Sequence, residues 1–108
     1  MAEEGYHIVL TTAGSIDEAE KIAETLVDEK LAACVNLMDR CKSIYRWKGR
    51  IVRDNEVLMV AKTHRSRLER LTERVSELHS YEVPEVIAVE LSSGSRVYLD
   101  FLKEAMDI

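Results

Sequence analysis

Ser43 to Thr63, SIYRWKGRIVRDNEVLMVAKT, is the stretch whose reading decides the fold. Two β-prone runs flank Lys48-Gly49, with Tyr45 and Trp47 on one side and Val57-Leu58-Met59-Val60-Ala61 on the other. Glycine supplies the positive φ that tight hairpin turns demand, so the stretch predicts a β-hairpin. Upstream, Ala33 to Met38 reads as strand, and polar residues at Asp39-Arg40-Cys41-Lys42 predict a bend or bulge rather than a chain reversal. Each arm of the hairpin is then about 14 residues long and ~45 Å in extent at ~3.4 Å per residue.

Working outward, His7 to Thr12 is a β-branched run that reads as the first strand. Ser15 opens a helix to about Lys30, with Glu18 at capping-box spacing and Ala19, Ile22, Ala23 and Leu26 as the apolar stripe. Arg65 to Ser80 carries Leu68, Leu71, Val75 and Leu78 at helical spacing, and Pro84 forbids its continuation. Glu85 to Leu91 reads as the last strand, followed by a helix whose face is Tyr98, Phe101, Leu102 and Ala105. The order predicts one α+β domain over residues 1–108. It is a ferredoxin-like βαββαβ two-layer sandwich with a long β2-β3 hairpin and an extra C-terminal helix.

In such a fold helices cover one sheet face, and the other alternates to polar if it meets water. Here both faces are apolar. Val57, Met59 and Ala61 oppose Leu58 and Val60; Val86 and Ala88 oppose Ile87, Val89 and Leu91. A 16-residue helix covers only ~24 Å, so the far half of the hairpin overhangs its own helices. Either the strands are shorter and the tip is a loose loop, or a second layer comes from elsewhere, most simply from further copies in a closed ring.

Composition excludes several classes. A net charge of −5 argues against a nucleic-acid surface. No apolar run of ~18 residues is present to span a membrane. The acidic Met1-Ala2-Glu3-Glu4-Gly5 start does not resemble a signal peptide, and two cysteines fit free thiols in a reducing cytoplasm. Glycine-rich phosphate loops, nucleophile elbows and HExxH are missing from the sequence, so no enzyme class is indicated.

Glu29-Lys30-Leu31-Ala32-Ala33-Cys34-Val35-Asn36, Ser43 to Gly49, Glu56-Val57 through Lys62-Thr63, and Tyr81-Glu82-Val83-Pro84-Glu85 together resemble the CutA family of divalent-cation tolerance proteins. Four motifs in order cover nearly the whole chain. The resemblance implies a ferredoxin-like protomer and a homotrimer assembled like the PII nitrogen-signalling proteins. It implies a link to copper and other divalent metals without an established reaction, and no required cofactor. It also implies that Lys62, Tyr81 and Glu85 approach one another in a cleft between subunits, where a small anion is a candidate ligand. Family members often carry Pro-Gly where this chain has Asp39-Arg40, and some carry cysteine where Thr11 stands.

The metal candidates are Cys34, Cys41 and His79. Cys34 sits in an apolar strand and reads first as a small buried hydrophobe. Cys41, at the bulge, offers a soft thiolate for copper. His79 ends a helix, where a cation complements the dipole, and the family pattern sets it beside Tyr81 and Glu85. His7 and His64 read as solvated. Tyr45 and Trp47 read as packing anchors against a neighbouring copy. A small-molecule sensor binding a metabolite or anion between subunits is the alternative function.

Overall fold

A computed structural model describes residues 4–108; Met1 to Glu3, the beginning of the acidic N-terminus, lie outside the described residues. The elements are β1 (Tyr6–Ala13), α1 (Ile16–Asp28), β2 (Cys34–Trp47), β3 (Arg50–His64), α2 (Arg65–Leu78), β4 (Ile87–Glu90) and α3 (Arg96–Ala105). The four strands form one antiparallel sheet in the order β2-β3-β1-β4. This is the expected α+β, ferredoxin-like arrangement with its added helix. Among the described residues no helix is long and apolar enough to cross a membrane.

The long hairpin forms in full. Lys48 and Gly49 both have positive φ, 50° and 79°, the pairing that matches the right-handed twist of the flanking strands. The register shifts between Met38 and Cys41, and Arg40 takes φ 61°. The polar run is therefore a bulge within one continuous strand. β1 leaves β3 at the Ala13–Val57 pair, whereas β2 and β3 stay paired through seven further positions, from Cys41–Glu56 to Trp47–Arg50. That arm extends the molecule to 46 Å along its longest axis, against 25 and 23 Å across.

One face of the sheet is closed. Val9, Ala13, Val57, Met59 and Ala61 meet Ile22, Leu26, Leu71 and Val75 from α1 and α2 in a single buried cluster. Each valine, leucine, isoleucine or methionine among them contributes ~1.5–3 kcal/mol on burial. Thr11 lies among them at 2% exposure, and its hydroxyl has no hydrogen-bond partner among the described residues. Arg74 of α2 clasps the Glu29 carboxylate through Nε and Nη2, at 3.0 Å each, and ties the helix pair at its rim.

The opposite face stays open. Leu10 pairs with Val60 and Ile87, Ile8 with Lys62 and Val89, and Met38 with Leu58. Ile87 and Val89 are 53% and 55% exposed and Met38 is 47% exposed. Along the arm this face carries Tyr45 and Trp47, each 40% exposed, while Ile44 and Ile51 stand exposed on the other face beyond the reach of the helices.

Several boundaries differ from the sequence reading. Lys30 takes φ 60° and ends α1 at Asp28. α2 stops at Leu78 because the His79 ring turns inward to the sheet instead of continuing the helix. β4 is only four residues long, since it pairs solely with His7–Leu10 of β1. The capping box is half made: Ser15 Oγ accepts from the Glu18 amide at 3.2 Å, but the Glu18 carboxylate accepts from the Ser80 amide at 2.8 Å. α3 buries Leu99, Leu102 and Met106 against Tyr6 and Ala33. Tyr98 and Phe101 are exposed, so the predicted face of that helix is rotated toward Leu99. Leu102 belongs to both stripes, and the apolar spacing does not rank them.

His7 and His64 are not simply solvated. His7 Nδ1 lies 2.8 Å from the Gly5 carbonyl, and His64 caps α2 by accepting from the Ser66 amide at 3.2 Å. Burial and the neighbouring Arg65 and Arg67 hold the His64 imidazole below its ordinary range, against the opposing pull of the Glu4 carbonyl, which keeps the acceptor nitrogen available.

Candidate functional site

A cavity of about 550 Å³ opens where β1 stops and the arm begins. Glu56 is the first β3 residue beyond the reach of β1. The space that a fourth strand neighbour would fill is taken by the segment after α2, which brings Tyr81, Glu82, Val83 and Glu85 to the cavity wall. The arm supplies Ile44, Tyr45, Trp47, Asp54 and Glu56 from the other side.

His79 fixes that segment. Its side chain is fully buried; Nε2 donates to the Thr12 carbonyl at 2.6 Å and Nδ1 accepts from the Tyr81 amide at 3.0 Å. With one ring nitrogen donating and one accepting, the imidazole is the neutral Nε2–H tautomer. Glu18 lies 3.8 Å from Nδ1. Burial acts against ionisation of the Glu18 carboxyl, but the Ser80 hydroxyl and amide outweigh it and hold the group below the ordinary carboxylate range.

Two tyrosines orient two carboxylates. Tyr81 donates to Glu56 Oε2 at 2.8 Å, and Glu56 is only 7% exposed. Tyr45 donates to Asp54 Oδ2. Burial and the hydrogen bond to Glu56 push the Tyr81 phenol well above its ordinary value; for Tyr45 the Asp54 bond is the main cause of a shift in the same direction. A Cβ at Gly14 would sit 3.2 Å from the Tyr81 hydroxyl, so a larger residue there would shift that group by a few tenths of an ångström. Four carboxylates and three aromatic rings line the cavity, and among the described residues no lysine or arginine does.

The structure therefore brings Tyr81 and Glu85 together with Tyr45 and Trp47 around one cavity. Lys62 is elsewhere on the same protomer: it pairs with Cys34, six residues along β3 from Glu56, and donates to the Asn36 side-chain oxygen. Both cysteines are free and half-buried. Their partners, Lys62 for Cys34 and Glu56 for Cys41, are about 20 Å apart along the strand. His79 has both nitrogens committed to backbone groups. Among the described residues no three histidine, cysteine or acidic side chains converge to hold a metal ion. Within one protomer the candidate metal ligands thus do not form a common site. Glu56 and Asp54 are the site residues that the sequence left unassigned to a cavity; the signal was a pair of acids flanking Asn55 in an apolar arm.

The CutA1 divalent ion tolerance protein family model matches residues 7–105. The chain is 47% identical over 97 residues to the divalent-cation tolerance protein CutA of Thermus thermophilus, covering 90% of this chain and 94% of that protein. It is 44% identical over 98 residues to the chloroplastic CutA of Arabidopsis thaliana, spanning 91% of this chain and 54% of the longer plant protein. The solved T. thermophilus Cut A1 structure superposes with a TM-score of 0.90 at 46% identity, covering 93% of this chain and 97% of the other. With its long hairpin, open sheet face and these relatives, the chain belongs to the CutA1 family of divalent ion tolerance proteins.

Proposed function

We propose that this chain works as a cytoplasmic homotrimer in the response to divalent metal ions, without catalysis of its own. The observation that carries the assembly is the second sheet face, where Met38, Ile87 and Val89 stand about half exposed beside Leu58, Val60 and Leu10. Trp47 carries the same character along this face of the arm, and Ile51 stands exposed on the arm's other face, where no helix reaches it. Burying such side chains in water-free contact contributes ~1.5–3 kcal/mol each, and a closed ring covers all copies equally. Tyr45 and Trp47 act as anchors in that contact. Trp47→Ala is expected to weaken the trimer while leaving protomer circular dichroism intact; a variant that stays fully trimeric on dilution refutes the anchor role.

The relatives' names supply the metal connection, and free thiols fit a reducing compartment. Copper contact falls to the Cys41 thiolate, a soft ligand at the bulge, with further ligands drawn from a second copy because one protomer does not group them. Cys34 and His79 are the lesser candidates, His79 having to release the Thr12 carbonyl first. Copper titration of the wild type, Cys41→Ser and His79→Ala tests this: saturable binding lost in Cys41→Ser supports it, and no saturable binding to the wild type refutes direct contact.

The cavity favours a second reading, a PII-like sensor that binds a small molecule between subunits. Within one protomer its wall is acidic, so an anion held there requires Lys62 from a neighbouring copy beside Tyr81 and Glu85. Thermal-shift screening against nucleotides and anions separates the readings, since a ligand of the native state raises the melting temperature.

A further inference from the structure

We infer that the face of the arm opposite Tyr45 and Trp47 is a docking surface for an anionic lipid bilayer. Strand alternation builds it. Ile44 pairs with Arg53 and Arg46 with Ile51, whereas Tyr45 pairs with Val52 and Trp47 with Arg50 on the other side of the ribbon. Ile44 and Ile51 are therefore diagonal neighbours, 59% and 64% exposed. Arg46 and Arg53 occupy the other diagonal, and Lys42 follows toward the body of the protein. Assembly through Tyr45 and Trp47 uses the opposite face and does not compete for this one.

Positive charge is concentrated on the same arm. Of the chain's 15 cations and 20 acids, residues 40–53 hold six cations and no acid, leaving nine cations against twenty acids elsewhere. All six, Arg40, Lys42, Arg46, Lys48, Arg50 and Arg53, are exposed, and among the described residues none is in an ion pair. Arg46 donates to the Gly49 carbonyl at 3.4 Å, and the Lys48 ammonium lies 5.8 Å from the Trp47 ring centroid. The flanking acids are engaged elsewhere: Asp39 accepts from the Arg40 amide, and Asp54 accepts from Tyr45 on the opposite face. The arm carries its charge ~20 Å beyond the end of β1, farther than the ~8 Å over which salt screens the acidic body.

A lipid surface is the polyanion that uses every part of this face. Nucleic acid would take the cations but has no use for two exposed isoleucines, and the rings that could stack on bases lie on the opposite face. A folded protein partner needs ~800 Å² of each surface, whereas two strands ~5 Å apart over ~20 Å present about 200 Å². A bilayer needs neither a groove nor a large area. Its headgroups attract clustered lysine and arginine, and its acyl boundary takes the apolar side chains between them; together these two signals hold a peripheral protein.

Co-sedimentation of the full-length protein with vesicles tests this. Phosphatidylcholine vesicles are compared with vesicles of phosphatidylcholine and phosphatidylserine, at low and at near-physiological salt. Binding is expected only with phosphatidylserine present, and to fall as salt rises. Arg46→Glu with Arg53→Glu is expected to weaken it at least tenfold, and Ile44→Ser with Ile51→Ser severalfold at unchanged charge. Lys42→Glu, a single change nearer the body, is expected to weaken it severalfold and decides the matter if the arginine pair misfolds. No binding to the anionic vesicles, equal binding to both compositions, or wild-type binding by the charge variants overturns the assignment. So does wild-type binding by the isoleucine pair, and so does duplex DNA bound more tightly than the vesicles, which assigns the face to a nucleic acid. Without vesicles the variants are expected to sediment as the wild type does; a changed oligomer size places this face against a second copy and overturns the assignment as well.

Discussion

Replacing Tyr81 by phenylalanine removes one hydroxyl and isolates the bond on which the cavity is built. The ring stays, so its 4.6 Å contact with His79 is kept, while Glu56 loses the 2.8 Å donor to Oε2. A hydrogen bond to a charged group contributes ~1.5–3 kcal/mol, and the carboxylate left behind is 7% exposed. At roughly 4 °C per kcal/mol for a domain of about 100 residues, Tyr81→Phe is expected to lower the melting temperature by about 6–12 °C at neutral pH. The same side chain has a signature in alkali. Its folded pKa is raised by burial and by Glu56, so its stabilising contribution is complete below the unfolded tyrosine value of ~10. Above that value the unfolded chain gives up the proton first, and stability falls with rising pH. The wild type is therefore expected to lose stability more steeply than Tyr81→Phe above about pH 10. Denaturant melts at pH 7 to 11.5, with phenolate absorbance followed in parallel, measure both effects. Equal melting temperatures at neutral pH, or parallel alkaline limbs, refute the account of the Tyr81–Glu56 pair.

Thr11→Val removes a buried hydroxyl that has no partner and keeps the shape, so urea unfolding is expected to show a gain of about 1 kcal/mol; a loss contradicts the orphan assignment. Glu18 has a depressed pKa, so it stabilises above its unfolded value of ~4.3 and less as pH falls. Glu18→Gln should flatten the acid limb of the stability profile while weakening the protein at pH 7, and an unchanged limb counts against the Ser80 bonds. Gly49→Ala meets no atom within 4 Å, so its cost is purely the φ of +79°, about 1 kcal/mol. A neutral substitution there contradicts the turn geometry.

The fold was legible because its signals are local and mutually consistent. Lys48-Gly49, the β-branched runs and the Ser15 cap each point to one conformation, and the strand pattern left only one sheet arrangement. The hairpin's full length was legible from its apolar residues, and the structure removes the shorter-strand alternative. What failed depended on tertiary choice. The rotation of α3 is decided by Tyr6 and Ala33, which are distant in sequence. His79 looked like an exposed helix-end cation because nothing in its neighbourhood announces that its ring reaches the Thr12 carbonyl. Half of the capping box was lost for the same reason, since the Ser80 amide competes for Glu18. The cavity was hidden because its two walls, 43–56 and 81–85, meet only after β1 ends short. Tyr81 and Glu85 entered through family resemblance, whereas Glu56 and Asp54 acquired their cavity role only from the fold.

Assembly through the open sheet face is the central claim, and sedimentation equilibrium of the full-length chain at micromolar concentration tests it most directly. The account predicts a single species of three times the 12.3 kDa chain mass, persisting on dilution and shifted toward smaller species by Trp47→Ala. A stable monomer, with Ile87, Val89 and Met38 left in water, contradicts it.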